Sequence, residues 1–297
     1  YTGHHPTISV PVNTWNNNYW VGSSSSGSGV ATSAGLCFAS LGSDTGGSIR
    51  YPCATCGLTG IKPTWGRVSR HGVFPLASSL DHIGPMARSA ADCAAILQVI
   101  AGWDAHDPTS IDTPVPEYSS EVGKSIRDMR IGIDRSYSFD GTDLQIATAL
   151  EKAIAVLEGL GARIVEVRMP DYDDLVQAWI MMCAIETAVA HQDTYPARAD
   201  EYGPDLAQLI DEGHATTGMK AARGHHLRVL FTSALSTIFS EVDCMLCPTM
   251  PKLTPSLAKM TDYGSDPKVL HAIMRFTAPF DFSGNPTITL PNGIDTA

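Results

Sequence analysis

Between residues 143 and 167 the hydrophobic period of the chain changes, and the change predicts two successive elements. Ile146, Leu150, Ile154 and Leu157 recur at helical spacing, with Asp143 placed to cap the helix N-terminus. Gly161 stops that pattern, and Ala162 to Val167 then alternates with the two-residue period of a strand. Met129-Arg-Ile-Gly-Ile133 also reads as a strand, and residues 175–240 are mostly helical in pattern. Near the N-terminus a small-residue stretch, Gly29 to Gly35, suits a helix and leads into an apolar run, Leu36 to Leu41, that reads as a buried strand. Asp104 to Tyr118 holds three prolines and little periodicity, which predicts a surface loop rather than a domain linker. Helices and strands in alternation predict α/β layers, and no internal repeat or heptad run appears.

The candidate chemistry sits in Leu41-Gly-Ser-Asp-Thr-Gly-Gly-Ser-Ile-Arg50. Gly46 and Gly47 permit a tight turn just before Ser48. The N–H groups of Thr45, Gly46, Gly47 and Ser48 can then converge beside an exposed hydroxyl, the parts of an oxyanion hole and a nucleophile. A structural or phosphate-cradling loop uses similar glycines, but the Gly-Lys-Ser/Thr ending of a nucleotide-binding loop is missing. A second cluster, Gly22-Ser-Ser-Ser-Ser-Gly-Ser28, reads alone as a flexible linker. Here it runs straight into the small-residue helix instead.

Together the two segments resemble the amidase signature family, whose pattern is G-G-S-S-G-G-S, a small-residue helix, then G-T-D-T-G-G-S-I-R. Gly60-Ile-Lys-Pro-Thr-Trp-Gly-Arg-Val-Ser69 is similar to the family element G-L-K-P-T-x-G-R-V-S. Ala77-Ser-Ser-Leu-Asp-His-Ile-Gly-Pro85 resembles A-S-S-L-D-x-x-G-P, and Pro279-Phe-Asp-Phe-Ser-Gly-Asn-Pro286 resembles P-F-N-x-x-G-x-P. Phe239 to Pro251 reads like the family's F…D-x-x-x-x-P-T-x-P strand. The resemblance implies an α/β fold with a large twisted mixed β-sheet covered by helices on both faces. It implies one domain over residues 1–297, incomplete at both ends.

The resemblance also implies roles. Ser48 is the nucleophile, and Ser24, following a cis Ser23–Ser24 peptide bond, bridges protons between Ser48 and a neutral lysine. Burial keeps such a lysine neutral by lowering its pKa. In the family that lysine lies well N-terminal to the bridging serine, and no lysine precedes Ser24 here. Lys62 falls in an element that reads as structural. Thr45, Gly46 and Gly47 supply oxyanion and substrate contacts, while Asp44 and Arg50 hold the loop by hydrogen bonds. The reaction implied is hydrolysis of an amide, aryl amide or carbamate through an acyl-enzyme, with no cofactor and no metal. Two alternatives stand beside it. One is the glutaminase subunit of a tRNA-dependent amidotransferase, whose usual Ser-Leu-Asp-Gln is here Ser-Leu-Asp-His82, and whose basic cluster before the glycine matching Gly213 is here Asp211-Glu212. The other is a scaffold that has lost its lysine and its chemistry.

Composition narrows the setting. With 297 residues, 43% of them hydrophobic, the chain can bury a large core. A net charge of −11 opposes an extended nucleic-acid surface, and no apolar run is long enough to span a membrane. The partner expected is a small-molecule amide or carbamate, with a homodimer possible. Seven cysteines at no framework spacing suit reduced thiols in a cytoplasmic enzyme. Cys53-x-x-Cys56 and Cys244-x-x-Cys247 also invite a zinc site; but Cys244 and Cys247, on a predicted strand, would point to opposite faces. Of the histidines, the pairs His4-His5 and His225-His226 lack metal-helix spacing, and His82 is a candidate for substrate contact. Trp179, Met181, Met182 and Phe231 read either as acyl-pocket lining or as plain core.

Overall fold

A computed structural model describes residue 5 and residues 7–260 and 267–294. In chain order its elements begin α1 (Ser26–Ser33), β1 (Ala39–Asp44), α2 (Arg50–Cys56), β2 (Thr59–Lys62), β3 (His82–Ala87), α3 (Ala90–Ile100) and α4 (Tyr118–Glu121). Then come β4 (Arg130–Ile133), α5 (Arg135–Phe139), α6 (Leu144–Gly159), β5 (Arg163–Glu166), α7 (Asp173–Ala190), α8 (Pro204–Ala215) and α9 (Gly218–Glu241). The last are β6 (Cys244–Met245), α10 (Pro267–Met274), α11 (Ala278–Ser283) and β7 (Thr287–Thr289). Among the described residues no helix is long and apolar enough to cross a membrane.

The fold is the mixed α/β one that the resemblance implied, and among the described residues its strands pair as two sheets. Antiparallel pairs join β1, β3, β2 and β7 in that order, and parallel pairs join β5, β4 and β6. Every residue of β3 is buried, as a strand flanked on both edges and covered on both faces requires. The register sets Asp44, the last residue of β1, against His82, the first of β3. That pairing fixes where the chain leaves the sheet to form the Gly46–Ser48 turn.

Two local expectations are corrected. The apolar run Leu36–Leu41 is not a buried strand: β1 starts at Ala39, and Leu36 and Phe38 are 79% and 90% exposed. The helix before it docks through hydroxyls instead. Ser28 Oγ donates to Leu41 O at 2.8 Å, Ser40 Oγ to Ser28 O at 3.1 Å, and Thr32 and Ser40 share a bond of 2.8 Å. Asp143 does precede α6, but its carboxylate does not cap it; it accepts from Lys252 Nζ at 2.8 Å and Leu253 N at 3.1 Å. The helix beyond follows the predicted stripe, with Leu150 and Ile154 buried against Ile133.

Helices α7, α8 and α9 occupy the region of helical pattern. They enclose a core of Leu175, Met182, Cys183, Phe231 and Leu235 with Leu80, Phe280 and Phe282. Met182 and Phe231 are thus core residues, with Trp179 and Met181 packed against them. That core backs the loop between β1 and α2.

Candidate active site

Asp44 organises the turn that carries Ser48. It is fully buried, and its Oδ1 accepts the Gly47 N–H at 2.6 Å while Oδ2 accepts Ile49 N–H at 3.0 Å and Arg50 N–H at 3.3 Å. The Arg50 side chain returns to the same carboxylate through Nε at 3.0 Å and NH2 at 2.8 Å. Its NH1 donates to Thr277 O at 2.9 Å, and its NH2 also binds Asp281. Burial alone would raise the Asp44 pKa; the adjacent Arg50 guanidinium outweighs it and holds the carboxyl well below the usual range. The sequence-level reading of Asp44 and Arg50 as loop holders matches this geometry.

The opposite side of the loop is held as firmly. Trp179 Nε1 donates to Thr45 O at 2.8 Å, and Thr45 Oγ1 donates to Asp81 at 2.5 Å. Asp81 in turn accepts the Leu76 N–H at 2.9 Å. Both glycines are dictated by space. A Cβ on Gly46 would stand 2.3 Å from the Trp179 ring, and one on Gly47, at φ +133°, would stand 2.3 Å from the Tyr51 ring. Gly47, expected as an oxyanion donor, has its N–H committed to Asp44, because that carboxylate lies under the turn. Among the described residues the N–H groups of Thr45, Gly46 and Ser48 remain without a protein acceptor.

The Ser23–Ser24 peptide bond is cis, as the resemblance implied. The next residue pins the serine cluster to the turn: Ser25 N donates to Ser48 O at 3.3 Å. Ser25 Oγ also bonds both Ser43 N and Ser43 O, each at 3.1 Å. The two serine segments are therefore neighbours, 24 positions apart in sequence. Ser48 is half-buried and Ser24 exposed, and among the described residues no hydrogen bond joins their hydroxyls. Beside them lies a cavity of about 250 Å³ whose lining includes Ser24, Ser43 and Thr45 together with Arg70, Phe74 and His106. Ser48 itself is not among the lining residues, nor are Trp179, Met181, Met182 and Phe231.

His82 does not face that cavity. It is 2% exposed, with Nδ1 at 2.7 Å from Leu80 O and 3.2 Å from Asp44 O, so it packs behind the loop instead of contacting substrate. Burial, with Lys62 nearby, depresses its pKa. Lys62 is fully buried and donates to Asn285 O at 2.6 Å, consistent with a structural part. Sequence reasoning missed Asp81 and Asp281 as parts of this site, although both stand inside the family motifs. Asp281 is 231 positions from Arg50, so no local spacing could pair them.

Burial lowers the Lys62 pKa from 10.5 to about 8, against the pull of Asp281. A lysine lowered on folding destabilises the native state wherever it is charged, below its folded pKa. That cost disappears above its unfolded pKa. From pH 7 to pH 10.5, wild-type stability is expected to rise by about 3 kcal/mol relative to Lys62→Met, read from urea unfolding curves. A difference that stays constant with pH contradicts the assignment.

The two Cys-x-x-Cys pairs are kept apart. Cys53 and Cys56 pack with Val21, Ile49, Leu58 and Met86, while Cys247 packs against the α7–α9 core. All seven thiols are free, and burial pushes those of Cys53, Cys56 and Cys247 up. Among the described residues no three His, Cys, Asp or Glu side chains are placed to share a metal ion.

The family model described as Amidase matches residues 1–297. The chain belongs to the amidase signature family. Its similarity reaches "Putative amidase AmiD" of Mycobacterium tuberculosis at 47% identity over 293 residues, 99% of this chain and 61% of that protein. It also reaches a glutamyl-tRNA(Gln) amidotransferase subunit of Synechococcus sp. at 36% identity, covering 96% of this chain and 63% of that protein. Among solved structures, the corresponding subunit from Thermotoga maritima superposes with a TM-score of 0.81 at 29% identity, over 96% of this chain and 62% of that one. This amidase-family chain therefore spans about 61% of the length of the first curated relatives it matches.

Proposed function

We propose that this chain carries the nucleophile and oxyanion donors of an amidase that hydrolyses a carbon–nitrogen acyl bond through an acyl-enzyme on Ser48. The observation that carries the reading is the Asp44-held turn, which leaves Thr45, Gly46 and Ser48 N–H groups without acceptors beside a half-buried serine hydroxyl. In the first step Ser24 takes the Ser48 proton and passes its own to a base, and Ser48 Oγ attacks the acyl carbon. The oxyanion formed accepts from the free N–H groups, each worth about 2.7–4 kcal/mol in a transition state of this kind. The proton then returns along the same path to the leaving nitrogen as the C–N bond breaks. Water, deprotonated by the same route, releases the acid and restores Ser48. The base implied by the family is a lysine N-terminal to the bridging serine; no lysine precedes Ser24 in this sequence, and Lys62 is held by Asn285 O.

The substrate class proposed is a small amide, aryl amide or carbamate, a range that the names of the relatives support only in its broad chemistry. The alternative reading, as part of an amidotransferase, draws on the 36% identity to the Synechococcus protein. Against it stand the acidic Asp211-Glu212 at the place of a basic cluster. His82 is a weaker argument than its sequence suggested, because it is buried away from the cavity. Glutamine hydrolysis that rises with tRNA and partner subunits would favour the amidotransferase.

Ser24→Ala tests the relay. In the full-length enzyme it is expected to lower turnover of an amide panel by about 10²–10⁴-fold, the usual range for losing a positioned proton-transfer group. Turnover close to wild type in a folded variant contradicts a proton path through Ser24. Mapping of a fluorophosphonate label to Ser48 tests the nucleophile directly.

A further inference from the structure

Behind the Ser48 turn lies a buried group that no step of the proposed mechanism touches. Asp44, Arg50, Lys62, His82 and Asp281 are each 2% exposed or less. Asp281 enters this group from α11 and His82 from the first position of β3. Asp281 Oδ2 accepts from Arg50 NH2. Its Oδ1 has no hydrogen bond yet lies 3.5 Å from His82 Nδ1, and His82 Nε2 is likewise buried without a partner.

The donor and acceptor roles here are forced. His82 Nδ1 faces Leu80 O, Asp44 O and the Asp281 carboxylate, three acceptors and no donor, so Nδ1 carries the ring proton. Arg50 can only donate. Asp281 therefore has the Arg50 donor at Oδ2, and its Oδ1 faces the N–H side of the His82 ring at 3.5 Å without a hydrogen bond; an oxygen suits both positions, whereas an amide would turn its NH2 toward one of these donors. The chain of restraint then runs to the turn: Arg50 is gripped by Asp281 and Asp44, and Asp44 holds the N–H groups of Gly47, Ile49 and Arg50.

We infer that Asp281 and His82 form a matched pair, a carboxylate oxygen facing a ring N–H at 3.5 Å, that positions Ser48 through Arg50 and Asp44. Neither lines the cavity, so both are positioning residues, and the inference rests on Ser48 being the nucleophile. In Asp281→Asn the amide can satisfy Arg50 or His82 but not both. In the double variant Asp281→Asn/His82→Gln, the glutamine oxygen can accept from the asparagine NH2, whose own oxygen still serves Arg50. The glutamine NH2 then serves the Leu80 and Asp44 carbonyls.

The rate of Ser48 labelling by a fluorophosphonate probe, measured on full-length enzyme and normalised to the folded fraction, reads the loop geometry. Asp281→Asn is expected to label about 10–100-fold more slowly, the scale of a small misplacement at a reacting group. The double variant is expected to recover to within about threefold of wild type, because contacting residues act as a unit. A merely structural role would predict the reverse, two losses that accumulate. A folded Asp281→Asn labelling at the wild-type rate overturns the pair, as does a double variant no faster than the single. If Asp281→Asn does not fold, the double variant decides: folded and labelled near the wild-type rate supports the pair, and unfolded or slow overturns it. Wild-type enzyme that takes no label on Ser48 is a separate result, which removes the nucleophile reading beneath the inference.

Discussion

Ser48→Ala is expected to lower amide turnover by a factor of order 10⁶ in the full-length enzyme, the scale seen when a covalent nucleophile is deleted. The substitution removes the one atom that forms the acyl bond, so neither the oxyanion donors nor the substrate contacts can compensate. Stability should hardly change. Among the described residues the Ser48 hydroxyl makes no hydrogen bond, and the turn is fixed by Asp44, Trp179 and the Ser25 N–H to Ser48 O bond, all of which survive. The checks are turnover across an amide, carbamate and ester panel, loss of the fluorophosphonate label, and a thermal midpoint close to wild type. Retained turnover at a folded Ser48→Ala protein would falsify the acyl-enzyme.

Arg50→Met should have the largest effect on stability, about 3–5 kcal/mol of destabilisation at neutral pH. The guanidinium lies between two buried carboxylates, Asp44 and Asp281, and its NH2 bonds both. Methionine replaces the volume but leaves two acids in a site that water does not reach. Among the described residues Lys62, bonded to Asn285 O, still attracts both acids. The loss should shrink in acid. Burial already raises the Asp281 pKa, so Asp281 is the first of the two to take a proton and shed its unpaired charge as pH falls. Denaturant unfolding of both proteins at neutral and acid pH checks the sign. A variant within about 1 kcal/mol of wild type throughout would mean that the carboxylates are not buried as charges.

Much of this site is legible along the sequence, because its two serine segments are each contiguous. The glycine pair before Ser48 and the Asp44 and Arg50 that flank it stand within a few positions of one another, whereas the cis bond before Ser24 is implied by the family resemblance. The family resemblance supplied the 24-residue link between the segments. The period change around Gly161 likewise located α6 and β5, since helix and strand periods are local properties. Reading burial from composition was less successful. Leu36 and Phe38 look like core residues and are exposed, because α1 reaches β1 through serine and threonine hydroxyls. Asp143 looks like a cap and instead binds Lys252, a residue 109 positions away.

What the sequence determined by itself is the turn: two glycines, a serine and the acid that can hold their amides are close enough in the chain to act without help from elsewhere. What only the tertiary structure decided is which amides stay free and what stands behind them. Asp44 takes the Gly47 N–H, Trp179 from α7 takes Thr45 O, and Asp281 from α11 closes on Arg50 and His82. Those choices depend on helices more than 100 residues distant meeting one loop in a dry interior. There each polar group must find its partner in space, and separation along the chain carries no record of that partner.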